Sequence, residues 1–311
     1  TIWGVATVAG PGYGGVFAEA GLWRAALWSL VPLSVGVAVV GWRYIAGGAA
    51  MRSRELAVGA ARFRVRWTAA DDRAAGQVLR VLESSAPRVR RWGGLQQPVT
   101  ITIHPNHDAL EDAVQRPGYG WLRAWARYQT VDLQSPRTWG LFGVPDKKLE
   151  ELLTHELTHC AIYQLAGNDL TWMFKEIPRW FSEGLATVTA GQGYRFPDVE
   201  ELWQFYDRTL PGSGFGEPSR GRGARSPVAV YGDPIVDSDP IYQDQSDIVY
   251  GAAYHAADFL IARYGEDRIH AVLERMGEGM RFPAAFREAI GITDAEFAAD
   301  FRSYVVWKGW R

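Results

Sequence analysis

One residue in 311 is a cysteine, Cys160, and only six are histidines. A lone thiol makes no internal disulfide, and it rules out zinc or iron–sulfur sites built from several cysteines. Any metal or covalent chemistry must therefore draw on His, Asp, Glu, Ser or Thr. Charge of one sign is also lacking, since 33 Lys+Arg face 35 Asp+Glu for a formal net charge of -2. The basic excess that carries proteins onto nucleic acid is absent, so nucleic acid is not an expected partner. Wholesale disorder is excluded as well: 47% hydrophobic and 22% charged residues is globular composition, with ample material for a core. There is no internal repeat.

Long hydrophobic runs are scarce, which makes the one present informative. Residues Ala25 to Trp42 carry no charge over 18 positions. As a helix they cover about 27 Å, close to the ~30 Å hydrocarbon core of a bilayer. Arg24 and Arg43 bracket the run, and Trp23, Trp28, Trp42 and Tyr44 lie near its ends, where interfacial aromatics belong. The run predicts one N-terminal transmembrane helix over about 25–45, acting as an anchor or uncleaved signal, so the membrane is an expected partner. Arginines cluster after the run, at 43, 52, 54, 62, 64 and 66, which by charge alone places the bulk of the chain on the cytoplasmic side. The first residue is Thr1 and the first methionine Met51, which reads as a fragment or a shifted start.

From about Arg62 the pattern is that of an α+β domain. Arg62–Thr68 and Val99–His104 alternate at period 2 and predict strands, with a third over Tyr128–Leu133. Val78, Leu79, Val81 and Leu82 place a helix over Ala70–Val89, and Asp108–Val114 is a short one. A longer helix runs from Asp146, as its cap, to Ala166, with Gly167 to end it. After residue 190 the reading is mostly helical, except for an irregular insertion at 207–247 rich in Gly, Pro, Ser and Asp. The expected organisation is a membrane segment with flanks over 1–54, a subdomain over 55–195 and a mainly helical subdomain over 196–311.

The helix from Asp146 contains His155-Glu156-Leu157-Thr158-His159. Histidines at i and i+4 differ by about 40° around a helix and lie ~6 Å apart along it, so both imidazoles reach one ion. Glu156 sits at the edge of that face, where a carboxylate can hold a metal-bound water and take its proton. Zinc hydrolases need this arrangement, with three protein ligands and a fourth position left to water. The third ligand is expected from Ile177–Ala186, where Pro178 suits a helix start and Glu183 follows on that helix. The small residues Gly184 and Ala186 allow close packing there, and Glu176 is the competitor, placed before Pro178.

His-Glu-Leu-Thr-His, followed after 23 intervening residues by Glu183 within Pro-x-Trp-x-x-Glu-Gly-Leu-Ala, resembles the gluzincin zinc metallopeptidases, in particular the peptidase MA-like group. The resemblance spans about 240 residues from Arg62 and is specific in these two motifs. It implies a zincin-like α+β fold, with a small mixed sheet over an active-site helix and a helical C-terminal half. It further implies one Zn2+ on His155, His159 and Glu183, with Glu156 as general base, a peptide or protein substrate and an extracytoplasmic location. One position departs from the pattern. Thermolysin-like members carry an Asp four residues after the ligand Glu, to orient a ligand histidine, and Thr187 stands there in this chain.

Peptide hydrolysis also needs a donor for the oxyanion. Tyr250, Tyr254 and His255 are candidates, and Tyr250 is the one chosen. Trp121, Trp125, Trp139 and Trp180 are candidates for a cleft wall, although most of 14 tryptophans belong to the core. Residues near Trp125–Tyr128 are candidates for an edge strand on which a peptide lies. His104 and His107 read as turn residues, Cys160 as a buried thiol, and Arg220–Arg225 as solvated loop, lid or cleavage site. Two other functions fit the same motifs: a catalytically silent zincin used for binding or sensing, and a zinc amidase acting on cell-wall peptides.

Overall fold

Why so few strands suffice is clear from the order of elements. The computed structural model describes residues 50–207, 233–242 and 245–307. The expected span at 25–42 and the Arg220–Arg225 stretch lie outside them. Among the described residues no helix is long and apolar enough to cross a membrane. The elements are β1 (Met51–Val58), β2 (Ala61–Thr68), α1 (Asp72–Arg88), β3 (Val99–His104), α2 (His107–Val114), β4 (Ala124–Ala126) and β5 (Thr130–Gln134). There follow α3 (Asp146–Ala166), α4 (Arg179–Ala190), α5 (Val199–Asp207), the short α6 (Asp239–Tyr242), α7 (Ser246–Tyr264), α8 (Glu266–Gly277), α9 (Phe282–Ile290) and α10 (Asp294–Val306).

The sheet is mixed, in the order β1-β2-β3-β5-β4. β2, β3 and β5 run parallel, with Val65 beside Ile101 and Ile101 beside Val131, while β4 is antiparallel to β5 and pairs Trp125 with Asp132. Alternation along these strands sends Phe63, Val65, Val99, Ile101, Ile103, Val131 and Leu133 into one core. Val78 and Leu82 of α1 and Leu149, Leu153 and Leu157 of α3 close it from the other side. Further along, Ile162 and Ala166 of α3 belong to a second core, built from α4, α7 and the last three helices. α3 is therefore buried on two sides, which is why it is not amphipathic.

Several expectations are corrected here. Asp146 is the first helical residue rather than the cap; Pro145 takes the cap position without a side-chain bond. The carboxylate still lies where the positive end of the helix dipole favours it. A strand, β1, begins at Met51 within the segment read as a membrane flank. Its exposed Arg52, Arg54 and Glu55 suit a sheet edge, where charge discourages pairing with other chains. The third strand starts at Thr130, and the opposite edge is Ala124–Ala126 rather than Trp125–Tyr128. Part of the insertion is helical, at α6.

Gly184 decides how α4 meets α7. A Cβ there would lie 2.2 Å from the carbonyl oxygen of Ala253 and 2.7 Å from the Cβ of Ala257. Trp180, one turn earlier on α4, stacks on Phe297 of α10 at 4.9 Å between ring centres and 19° between planes. It belongs to the helical core, not to a cleft wall. Gly184→Ala should therefore force the two helices apart and cost about 1–3 kcal/mol, as overpacking does. Urea unfolding measures this, and an unchanged midpoint would contradict the packing described.

Candidate metal centre

α3 and α4 cross where His155, His159 and Glu183 face one another. His155 Nε2 lies 3.1 Å from Glu183 Oε2, His159 Nε2 lies 3.3 Å from the same oxygen, and the two imidazole nitrogens are 3.2 Å apart. Three ligands bound to a tetrahedral zinc at 2.0–2.1 Å lie about 3.3–3.4 Å from one another, so the triangle has the right size. Its electronics fit as well. His155 Nδ1 lies 3.0 Å from the side-chain oxygen of Gln192, an acceptor, so the ring proton belongs on Nδ1 and Nε2 presents a lone pair. That lone pair meets a carboxylate oxygen and a second imidazole nitrogen, an arrangement that is repulsive unless a cation or a shared proton lies between them. Burial would raise the Glu183 carboxyl, but positive charge or a shared proton on the side of His159 and His155 outweighs it and holds the group below the usual carboxylate range. Among the described residues these three form the one cluster with metal-binding spacing.

Glu156 is buried beside the triangle. Burial pushes its carboxyl up to about 7, reinforced by the charge of Glu183 and opposed by His155 and the backbone of Ala126 in β4. A carboxylate poised there can accept and return a proton near neutrality. Glu176, the competing ligand, stands apart: it is exposed and paired with Arg281. Cys160 is buried with its thiol donating to the Arg127 carbonyl at 3.1 Å, and burial raises its pKa, so it remains a thiol away from the triangle. His104 pairs with Asp132 at 2.8 Å and His107 with Glu111 at 3.2 Å; neither joins the site. His104 ends β3 and His107 opens α2, rather than lying in a turn.

A cavity of about 520 Å³ opens onto the triangle. Trp121, Trp125 and Trp139, three of the four candidate tryptophans, line it, and so does the edge strand β4. Tyr250 of α7 lines it too, with its ring centre 6.2 Å from that of His155 and its hydroxyl 3.1 Å from that of Tyr242. Burial, then the charge of Glu183, holds the Tyr250 phenol well above its ordinary value, so it stays a donor. Tyr254 packs instead on Gly193, and His255 Nε2 donates to the Pro197 carbonyl at 3.1 Å. Both are directed elsewhere.

No protein-family profile matches the chain, and no curated protein does. Solved structures do. An aminopeptidase N family protein from Idiomarina loihiensis aligns over 84% of this chain and 47% of its own, at 12% identity and a TM-score of 0.40. An M1 zinc metallopeptidase from Deinococcus radiodurans aligns over 82% and 51%, at 13% identity and a TM-score of 0.36. A two-domain M1 zinc metallopeptidase bound to L-arginine aligns over 83% and 52%, at 14% identity and a TM-score of 0.38. The chain spans about half the length of each, and the likeness is distant.

One departure was read from the sequence, but what takes its place was not. Thr187, at the position of the missing Asp, is buried and its hydroxyl bonds to none of the described residues. The group on His155 comes instead from Gln192, two residues beyond the end of α4. The only local signal was Gly191, which ends that helix with φ +69°. If the triangle is the metal site, the purified chain carries one zinc after desalting. His155→Ala and Glu183→Ala then carry none, whereas Glu176→Gln keeps it, as read by atomic emission. Zinc retained by Glu183→Ala and lost from Glu176→Gln would reverse the assignment.

Proposed function

We propose that this chain is a zinc-dependent peptidase in which His155, His159 and Glu183 hold the metal. The observation that carries this reading is the triangle of ligand atoms at 3.1–3.3 Å, with a buried carboxylate, Glu156, beside it. Zinc, when bound, supplies Lewis acidity that polarises a substrate carbonyl and makes water easier to deprotonate. The protein does the rest. Glu156 removes a proton from the attacking water and delivers it to the leaving amine nitrogen, so one water is consumed for each peptide bond cut. A carboxyl raised to about 7 suits both halves of that transfer.

Tyr250 keeps its proton and faces the same cavity, so its hydroxyl donates to the oxygen that gains charge as the carbonyl is attacked. Among the described residues β4 is the last strand of the sheet and its outer edge runs along the cavity, so an extended peptide adds there by main-chain hydrogen bonds. Trp121, Trp125 and Trp139 then take up apolar side chains. Trp121 meets Tyr242 edge-on at 5.5 Å and Tyr250 at 6.2 Å, linking the sheet side of the cleft to the helical side.

A diverse peptide library, incubated with the zinc-loaded chain, tests this reading. Wild type should give cuts that a chelator abolishes. Glu156→Gln should keep its zinc and lose about 100- to 10,000-fold in rate, as expected for removing a general base. Tyr250→Phe should also keep zinc and lose on the order of 100-fold in turnover. A folded, zinc-loaded wild type that cuts no peptide, or full activity in Glu156→Gln, would contradict the proposal.

A further inference from the structure

Between α4 and α5 the chain crosses back over α3 as a short strap, Gly191 to Phe196. Every residue in it is held. Gly191 turns the chain out of α4, and the backbone N–H of Gln192 donates to Thr187 O at 3.0 Å. Gly193 lies against Tyr254, where a Cβ would be 2.2 Å from the ring. The Tyr194 hydroxyl reaches both oxygens of Glu151, at 3.1 and 3.0 Å. Arg195 returns its N–H to Gln192 O at 2.9 Å, and Phe196 stacks on Tyr250 at 5.2 Å and 15°.

Two contacts of the strap, Tyr194 on Glu151 and Gln192 on His155, land on the same helix one turn apart. Glu151 and His155 are four residues apart on α3, so their side chains share a face. Glu151 is buried, and the hydrolytic reaction has no use for it; its visible task is to receive Tyr194 and, at 3.9 Å, Arg195. A buried carboxylate needs such partners. Tyr194 is largely exposed, and its hydroxyl on Glu151 ties the strap to α3 two residues from Gln192. Gln192 is itself buried, and its side-chain oxygen stands 3.0 Å from His155 Nδ1.

We infer that Gln192 is the positioning residue of the metal centre: it fixes the His155 ring and its Nδ1–H tautomer, and the Glu151–Tyr194 contact holds Gln192 in place to do so. The inference rests on the metal-site reading above. A ligand imidazole commonly donates its second N–H to a fixed acceptor, and loss of that acceptor weakens metal binding by about 10- to 100-fold. His159 has no such support, since its Nδ1 is buried without a hydrogen-bond partner among the described residues. The orienting hydrogen bond on an Nδ1 of the histidine pair therefore falls to Gln192 alone within that set, from a neutral amide rather than a carboxylate.

Zinc affinity, measured on the full chain by competition with a chromophoric chelator, tests this without reference to turnover. Gln192→Leu removes the acceptor and should raise the zinc Kd by about 10- to 100-fold. Gln192→Glu keeps an acceptor of the same reach and should stay within about threefold of wild type or bind more tightly. Tyr194→Phe should give a smaller loss, in the same direction. Wild-type affinity in Gln192→Leu, or an equal loss in the Leu and Glu variants, would overturn the inference while leaving the metal site intact. A wild type with no zinc affinity would instead remove the metal site and the inference together. Should Gln192→Leu not fold, nitrogen NMR of zinc-free wild type decides. A proton on His155 Nδ1 supports the assignment, and a proton on Nε2 overturns it.

Discussion

Two imidazole nitrogens and a carboxylate oxygen stand within 3.3 Å of one another in a buried seam between two helices. Lone pairs at that distance repel, and removing a carboxylate from water costs several kcal/mol even after relaxation. Left to itself, the triangle would open. The surrounding structure serves to keep it closed, and a divalent cation at its centre converts the same arrangement from a cost into a binding site.

Each vertex is secured in a different way. His155 and His159 come from one helix whose i,i+4 spacing sets their separation, and that helix is clamped between the sheet core and the helical core. Glu183 comes from a second helix, whose depth is set by Gly184 against the backbone of α7. The ring of His159 lies parallel to that of Tyr163, at 6.0 Å and 16°, so packing rather than hydrogen bonding fixes its plane. Glu156 is placed by the same helix as the histidines but turned towards β4, so the proposed base and the proposed peptide-binding edge lie side by side. Disturbing the packing of α3 around these residues therefore disturbs both the proposed metal ligands and the proposed base.

How much of this the sequence discloses depends on how local the cause is. The end of α3 at Ala166 was legible from Gly167, whereas its start was read one residue late, with Asp146 as the cap where Pro145 stands. Val99–His104 was legible because strict alternation survives where one face of a strand is buried. That His155 and His159 face one another was legible because i,i+4 spacing is helix geometry, while Glu183 joins them from a second helix. β4 was not, being three residues long and defined by pairing with β5 rather than by pattern. β1 was hidden by its charged and exposed side chains, which read as the flank of an apolar run. Gln192 was out of reach, since its contact with His155 spans 37 residues and arises only when the chain turns back after Gly191. Pairings made by tertiary approach leave little trace in a single sequence.

X-ray absorption at the zinc edge, on the full chain purified from zinc-supplemented medium, tests the central claim most directly. The account predicts one zinc per chain in a shell of nitrogen and oxygen at about 2.0–2.1 Å, with the outer-shell signature of two imidazoles. A chain without zinc would contradict it. So would a sulfur neighbour at about 2.3 Å, which would bring Cys160 into the site and displace the triangle described here.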